Sequence, residues 1–321
     1  MKCFGVAFLC AIPLFAEPVL LLHDRAGNLL RQVPAVVRPE GMVLAARESL
    51  YGAASAVLLD DRGGLQQALS IMAEDRDSGV VELFVGRQAP AGPNTASQFA
   101  TTVTSGGHSA RAGEYRDSGG FGPVARLSCP GVGEVSAPLY NEHGFLAGWH
   151  AVRLVDGQAL TFAIPMERLT AGLTPIQPAG LADWDHHRNA AADEIYSKAL
   201  AYMWAGDYEG AAFYWRKARE AEPENARTWY HLAFAEGKTG HSREKTRCFR
   251  KAIELQPGFA AAHYDLGIGL ALAGDRDGAM NEVKALRPID EGLSRRLEGF
   301  LGIMHTDELP AKKVPARRAA V

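Results

Sequence analysis

Residues 131–149 read GVGEVSAPLYNEHGFLAGW, and their pattern decides how the first half of the chain is built. Small residues and Pro138 lead into the apolar pair Leu139-Tyr140. Asn141-Glu142-His143-Gly144 is a turn set, and Phe145 to Trp149 is a second apolar run. The pattern predicts strand, tight turn and strand, because Asn and Gly supply the backbone conformations that a short hairpin turn needs.

Outward from this hairpin the alternation continues. Short apolar runs at 18–23, 35–37, 42–44, 56–59, 69–72 and 80–85 are separated by turn residues. Runs of this length, broken roughly every 8 to 15 residues, predict an all-β barrel or sandwich over residues 17–174.

The order of these motifs resembles trypsin-like serine peptidases, above all the HtrA/Deg type. There the nucleophile loop runs Gly-x-Ser-Gly-Gly-Pro-Leu, and Gly133, Pro138, Leu139 and Gly144 fit its frame. Gly41, Leu44, Gly52 and Ala53 fit the segment that carries the family's catalytic histidine. Residues 75–83 fit the segment with its aspartate, and residues 160–166 (LTFAIPM) are similar to its closing G-F-A-I-P strand. The resemblance implies a trypsin-like double β-barrel. It also implies a lost triad, because the histidine, aspartate and serine positions hold Glu48, Gly79 and Val135. A serine attacks only when a base takes its proton and a third group orients that base. None of these three side chains can fill its role. Ser136-Ala137 replaces the glycine pair after the nucleophile, which further weakens an oxyanion hole. A serine-type hydrolase with a non-standard site, built from Ser136, His143 and Glu142, is the alternative, with no motif behind it.

Residues 175–189, with Pro175, Pro178 and Gly180, read as a short linker. Helical composition follows. Gly206, Gly240 and Gly274 recur 34 residues apart, as do Pro223 and Pro257. That period resembles the tetratricopeptide repeat. Ala199, Tyr208 and Trp215 support it in the first unit, Trp229, Leu232 and Phe249 in the second, and Leu266, Gly267 and Ala279 in the third. The resemblance implies an α-helical solenoid over residues 190–304, three units and a capping helix at 291–304, whose usual task is to bind other proteins. In such repeats the first helix of each unit lines a groove. Its fifth and ninth positions here are Tyr196 and Leu200, Tyr230 and Phe234, and Tyr264 and Ile268, a candidate stripe for a protein or peptide partner. Packing against the first domain, the linker or the capping helix is an equal alternative for the same side chains. The stripe lacks the Lys/Asn set by which some tetratricopeptide domains hold a C-terminal carboxylate.

Composition sets the remaining bounds. With 321 residues and 47% hydrophobic content, the chain can bury two cores. A net charge of −3 gives no reason to expect a nucleic-acid partner. Lys2 followed by the apolar run to Ala16 has the layout of a signal peptide, too short to span a bilayer, which predicts an exported protein, periplasmic or extracellular. Beyond it, Cys129 and Cys248 fall in different domains and read as two buried thiols. No metal-ligand spacing or cofactor motif occurs. The basic end, residues 305–321, reads as a solvated, disordered tail. The sequence therefore predicts an exported, non-catalytic protein-binding protein, a pseudoenzyme of peptidase fold joined to helical repeats.

Overall fold

The computed structural model describes residues 18–38, 41–60, 63–86, 102–105, 108–117, 123–128, 136–155 and 158–306. Residues 1–16, for which the sequence predicts a signal peptide, Cys129, Val135 and the residues beyond 306 lie outside the described residues. The chain divides into two compact units, Met1–Ala218 and Arg219–Val321.

In the first unit, strands β1 (Val19–His23), β2 (Leu29–Arg38), β3 (Met42–Ala46), β4 (Ser55–Leu59), β5 (Leu65–Gln67), β6 (Ser70–Asp75) and β7 (Val80–Phe84) pair antiparallel in the order β6-β7-β3-β2-β1-β4-β5. The period of two is visible in β1, where Leu20 and Leu22 are fully buried and Val19, Leu21 and His23 are half-buried. Strands β8 (Thr102–Ser105), β9 (His108–Asp117), β10 (Pro123–Ser128), β11 (Ala137–Tyr140), β12 (Leu146–Val155) and β13 (Gln158–Pro165) close into a barrel of order β10-β13-β12-β11-β8-β9. The predicted hairpin is β11–β12, with Pro138 opposite Trp149 and Leu139 opposite Gly148. In its turn, the Asn141 carboxamide oxygen accepts the N–H groups of His143 and Phe145.

Two expectations are corrected here. Residues 175–189 are not a linker. Strand β14 (Thr174–Ala179) pairs with β6, making the first sheet eight-stranded. Helices α1 (Met166–Gly172) and α2 (Leu181–His187) flank this strand, and Leu181 and Trp184 of α2 join the sheet's core. The two prolines are tolerated because β14 is an edge strand. The first sheet, moreover, is not closed by continuous strands, where sequence predicts a closed barrel: its pairing breaks between β5 and β6. Only Ala68 and Leu69 separate β5 from β6. The Ala68 N–H bonds Ala56 O and the Leu69 N–H bonds Phe84 O, so the chain passes from β4 to β7 at this bend.

Helix α3 (Ala190–Ala205) starts at an N-cap, Asn189, whose side chain accepts the Ala192 N–H at 3.1 Å. Helix α4 (Tyr208–Ala221) follows. The second unit holds α5 (Ala226–Lys238), α6 (Ser242–Leu255), α7 (Ala260–Leu272), α8 (Arg276–Leu286) and α9 (Glu291–Thr306). The 34-residue glycine period marks the ends of α3, α5 and α7: Gly206, Gly240 and Gly274 have φ of 84°, 89° and 83°. Glycine enters this left-handed conformation without the cost a Cβ imposes. These helix pairs make a tetratricopeptide-like region that follows a β-rich one in the chain.

A second periodic feature is chemical. Trp229 Nε1 donates to Pro223 O at 2.7 Å, and His263, at the same repeat position, places Nε2 2.9 Å from Pro257 O. His263 Nδ1 lies 2.6 Å from Glu282 Oε2, so both ring nitrogens face acceptors and only the imidazolium makes both bonds. The hydrogen bond to Glu282 foremost holds the His263 pKa above its ordinary 6.5, against the opposing effect of burial. A raised pKa stabilises the protonated folded form. The contribution is therefore complete below pH 6.5 and is lost as pH rises through the higher folded value. We expect the second unit to become less stable with rising pH in that window, read from urea midpoints. Glu282→Gln should flatten the dependence and move the His263 NMR titration back towards 6.5.

Candidate functional site

Glu48 and Gly79, two of the positions singled out by the sequence resemblance, meet at one side chain, Arg153 of β12. Its Nη1 lies 2.7 Å from Glu48 Oε1, in the single-turn helix Glu48–Leu50 that follows β3. Nη2 donates to Asp77 O at 3.1 Å and Nη1 also reaches Val152 O at 3.2 Å. The guanidinium carbon sits 5.4 Å from the centre of the Trp204 ring. The Arg153 side chain is 1% exposed, so its charge depends on these partners. Gly79 faces the same group: with φ +70°, a Cβ there would stand 2.8 Å from Arg153 Nη2. Position 79 thus favours glycine, since a side chain there would be strained and would press on the guanidinium, while Glu48 serves as the counter-ion. Sequence reasoning missed Arg153. Its signal was a lone cation inside the alternating strand LAGWHAVRLV.

The alternative hydrolytic set does not assemble. Ser136 is buried and its Oγ accepts the Val152 N–H at 3.2 Å. Glu142 and His143 are 75% and 69% exposed and sit in the turn at the far end of β11. Four strand residues at about 3.3 Å each separate that turn from Ser136. No nucleophile–base contact links them.

A cleft of about 790 Å³ has Glu48, Gly79, Ser136 and Leu154 in its lining, together with Tyr196 and Lys198 of α3. Leu154 is 63% exposed. The β11 pairing ends at Ala137–His150, whereas β12 runs on to Val155 against β13. Asp193 of α3 binds Arg47 at 3.0 Å, Arg76 at 2.8 Å and Arg188 at 3.8 Å. Arg47 also bonds Glu74 at 2.9 Å. The Arg188 guanidinium lies 3.6 Å from the Tyr51 ring centre, and Arg47 lies within 6 Å of both Tyr51 and Trp184. Burial pushes the Tyr51 hydroxyl up to about 12, keeping it neutral and able to donate. These contacts fix the start of α3 to the β-rich part of the unit.

The candidate partner stripe is divided. Tyr196, Leu200 and Tyr230 are buried, and only Phe234, Tyr264 and Ile268 are half-exposed. The Tyr196 hydroxyl donates to the buried Asp77 carboxylate at 2.5 Å, and its ring packs edge-on to Trp215 at 4.8 Å. The Tyr230 hydroxyl bonds Asp265 at 2.5 Å. Arg296 of α9 covers the Tyr264 ring at 5.5 Å. Packing therefore takes Tyr196 against the β-rich part of its unit, and a continuous exposed stripe from Tyr196 to Ile268 is not formed. The physical reason is the hydroxyl: each of the first two tyrosines finds an aspartate across an element boundary.

Cys248 is buried. Burial, with the nearby Glu244 carboxylate, pushes its thiol up to about 12, so it stays protonated and unreactive. Among the described residues, no group of three or more His, Cys, Asp or Glu could hold a metal ion, and no helix is long and apolar enough to cross a membrane.

No protein-family model matches the chain. A curated relative, the tetratricopeptide repeat and J domain-containing co-chaperone DNJ1 of Fusarium oxysporum f. sp. lycopersici, is 29% identical over 101 residues, 32% of this chain. The match spans 19% of that relative's length. Among solved structures, the TPR2B domain of yeast Sti1, in a pHsp70 complex, is 20% identical and covers 37% of this chain and 98% of its own, with a TM-score of 0.35. The Yersinia enterocolitica translocator chaperone SycD, in complex with a peptide of the translocator YopD, gives 14% identity, 37% and 95% coverage and a TM-score of 0.35. MamA is 19% identical, with 40% and 78% coverage and a TM-score of 0.34.

Proposed function

We propose that the chain is an exported, non-catalytic protein-binding protein, in which a degenerate trypsin-like double β-barrel carries tetratricopeptide repeats that hold a protein or peptide partner. One observation carries the loss of catalysis: Arg153 bridges Glu48 over Gly79, so a guanidinium and its counter-ion stand where a base and its orienting carboxylate would have to meet. Strand order supports the double-barrel reading. The closed barrel runs β8-β9-β10-β13-β12-β11. If β5 and β6 count as one bent strand, the first sheet repeats that order as β1-β2-β3-β7-β6/β5-β4.

Protein binding would use backbone and apolar surface rather than chemistry. In the cleft, the stretch of β12 beyond its β11 pairing, beside the exposed Leu154, suits an extended segment added as a strand. In the repeats, Phe234, Tyr264 and Ile268 remain for a partner. The leader-like residues 1–16 support export, which fractionation of cells expressing the tagged chain would check.

A fluorophosphonate probe tests the loss of catalysis. We expect no covalent labelling of the full chain. Labelling that disappears in Ser136→Ala would overturn the reading in favour of the non-standard hydrolase. For the repeats, affinity capture should lose a specific partner in the Phe234→Ala/Tyr264→Ala variant, and an unchanged capture profile counts against that surface.

A further inference from the structure

Within the second unit, helix α6 carries five cations, Arg243, Lys245, Arg247, Arg250 and Lys251, against two anions, Glu244 and Glu254. That balance is unusual in a chain whose net charge is −3. Three of the cations are engaged. Arg247 binds Glu244, Lys251 binds Glu254 at 2.7 Å, and Lys245 lies across Gly237 and Gly269. Arg243 and Arg250 are exposed and form no ion pair among the described residues. Separated by seven positions, they project from nearly the same face of the helix.

These two arginines line a depression of about 510 Å³ that also includes the Trp229 ring. The indole is held in place: its Nε1 bonds Pro223 O at 2.7 Å. The Arg219 and Arg247 guanidiniums lie 5.4 and 5.6 Å from its ring centre.

We propose that this face of α6 is a docking site for a short acidic segment of a partner protein, with carboxylates of the segment paired to Arg243 and Arg250. Charge complementarity selects the occupant, and spacing defines it. Seven residues of helix advance about 10.5 Å. Carboxylates four residues apart on an extended chain share one face and stand about 13 Å apart, a span that two long arginine side chains can meet. A long polyanion is disfavoured because the basic surface is one helix face on a net-negative chain. A membrane surface is disfavoured because none of the exposed large apolar side chains lies on α6. This site is separate from the Phe234, Tyr264 and Ile268 surface and does not depend on it.

The test is fluorescence anisotropy of the full chain with a labelled Gly/Ser peptide bearing two glutamates four residues apart. We expect saturable binding, weakened on the order of tenfold by Arg243→Glu/Arg250→Glu and by raising salt to about 150 mM. The same peptide with glutamine should not bind. Phe234→Ala/Tyr264→Ala should leave the affinity unchanged, so failure of the apolar surface and failure of this site read differently. Arg243→Gln/Arg250→Gln repeats the measurement without charge reversal, with helix content checked by circular dichroism. Equal binding by the arginine variants, or equal binding of the glutamine peptide, overturns the proposal. So does tighter Arg243- and Arg250-dependent binding of single-stranded DNA or of phosphatidylserine vesicles.

Discussion

Tyr196→Ala is expected to destabilise the first unit by about 3–5 kcal/mol, the range for deleting a large buried aromatic side chain. Tyr196 is 2% exposed, packs edge-on to the buried Trp215 and lies 4.4 Å under the Arg76 guanidinium. Truncation opens a cavity beside Trp215 and also takes a donor from the Asp77 carboxylate, which is wholly buried. Tyr196→Phe separates the two effects. It keeps the ring and removes only the hydroxyl, and should cost about 1–3 kcal/mol. Urea titration followed by near-UV circular dichroism reads both. An alanine variant as stable as the parent would mean that the ring does not pack where it is described.

Arg168→Met should be comparably damaging. Arg168 of α1 sits 3.3 Å from Asp75 Oδ2 and 3.6 Å from Asp77 Oδ2, and both carboxylates are 0% exposed. Removing one member of a buried ion cluster leaves charge without its counter-charge, which costs about 3–5 kcal/mol even when the replacement fills the space. Because Arg168 and Tyr196 share Asp77, the double variant should lose less than the sum of the single losses. Strict additivity would show that the two contacts are independent.

Much of the fold was legible wherever local backbone chemistry decides it. The turn at Asn141 and Gly144 and the helix ends at Gly206, Gly240 and Gly274 follow from side chains that act within a few residues. Phe234 and Tyr264, placed in the stripe by the repeat resemblance, are half-exposed. What could not be read was long-range. Residues 175–189 look like a linker because their prolines and glycine are local signals, whereas Trp184 is placed by a core assembled from distant strands. Arg153 and Glu48 are 105 residues apart, and nothing in either neighbourhood announces the other. Tyr196 was assigned to a groove because its repeat position is shared with Tyr230 and Tyr264. Its actual partner, Asp77, lies 119 residues upstream.

The attachment of α3 to the β-rich part of its unit bears on how such a chain can change length. Trp204 meets Phe162 edge-to-face, ring centres 5.1 Å apart, and covers Arg153, while Asp193 neutralises arginines from elsewhere in the unit. The first helical hairpin is thus a fixed founder. Duplication or loss of repeats can proceed only downstream of it, where one repeat meets the next through similar surfaces. A truncation that begins at residue 190 would strip a lid from buried charges rather than separate two modules. Divergent copies of this architecture should accordingly vary in the number of later hairpins and keep the first.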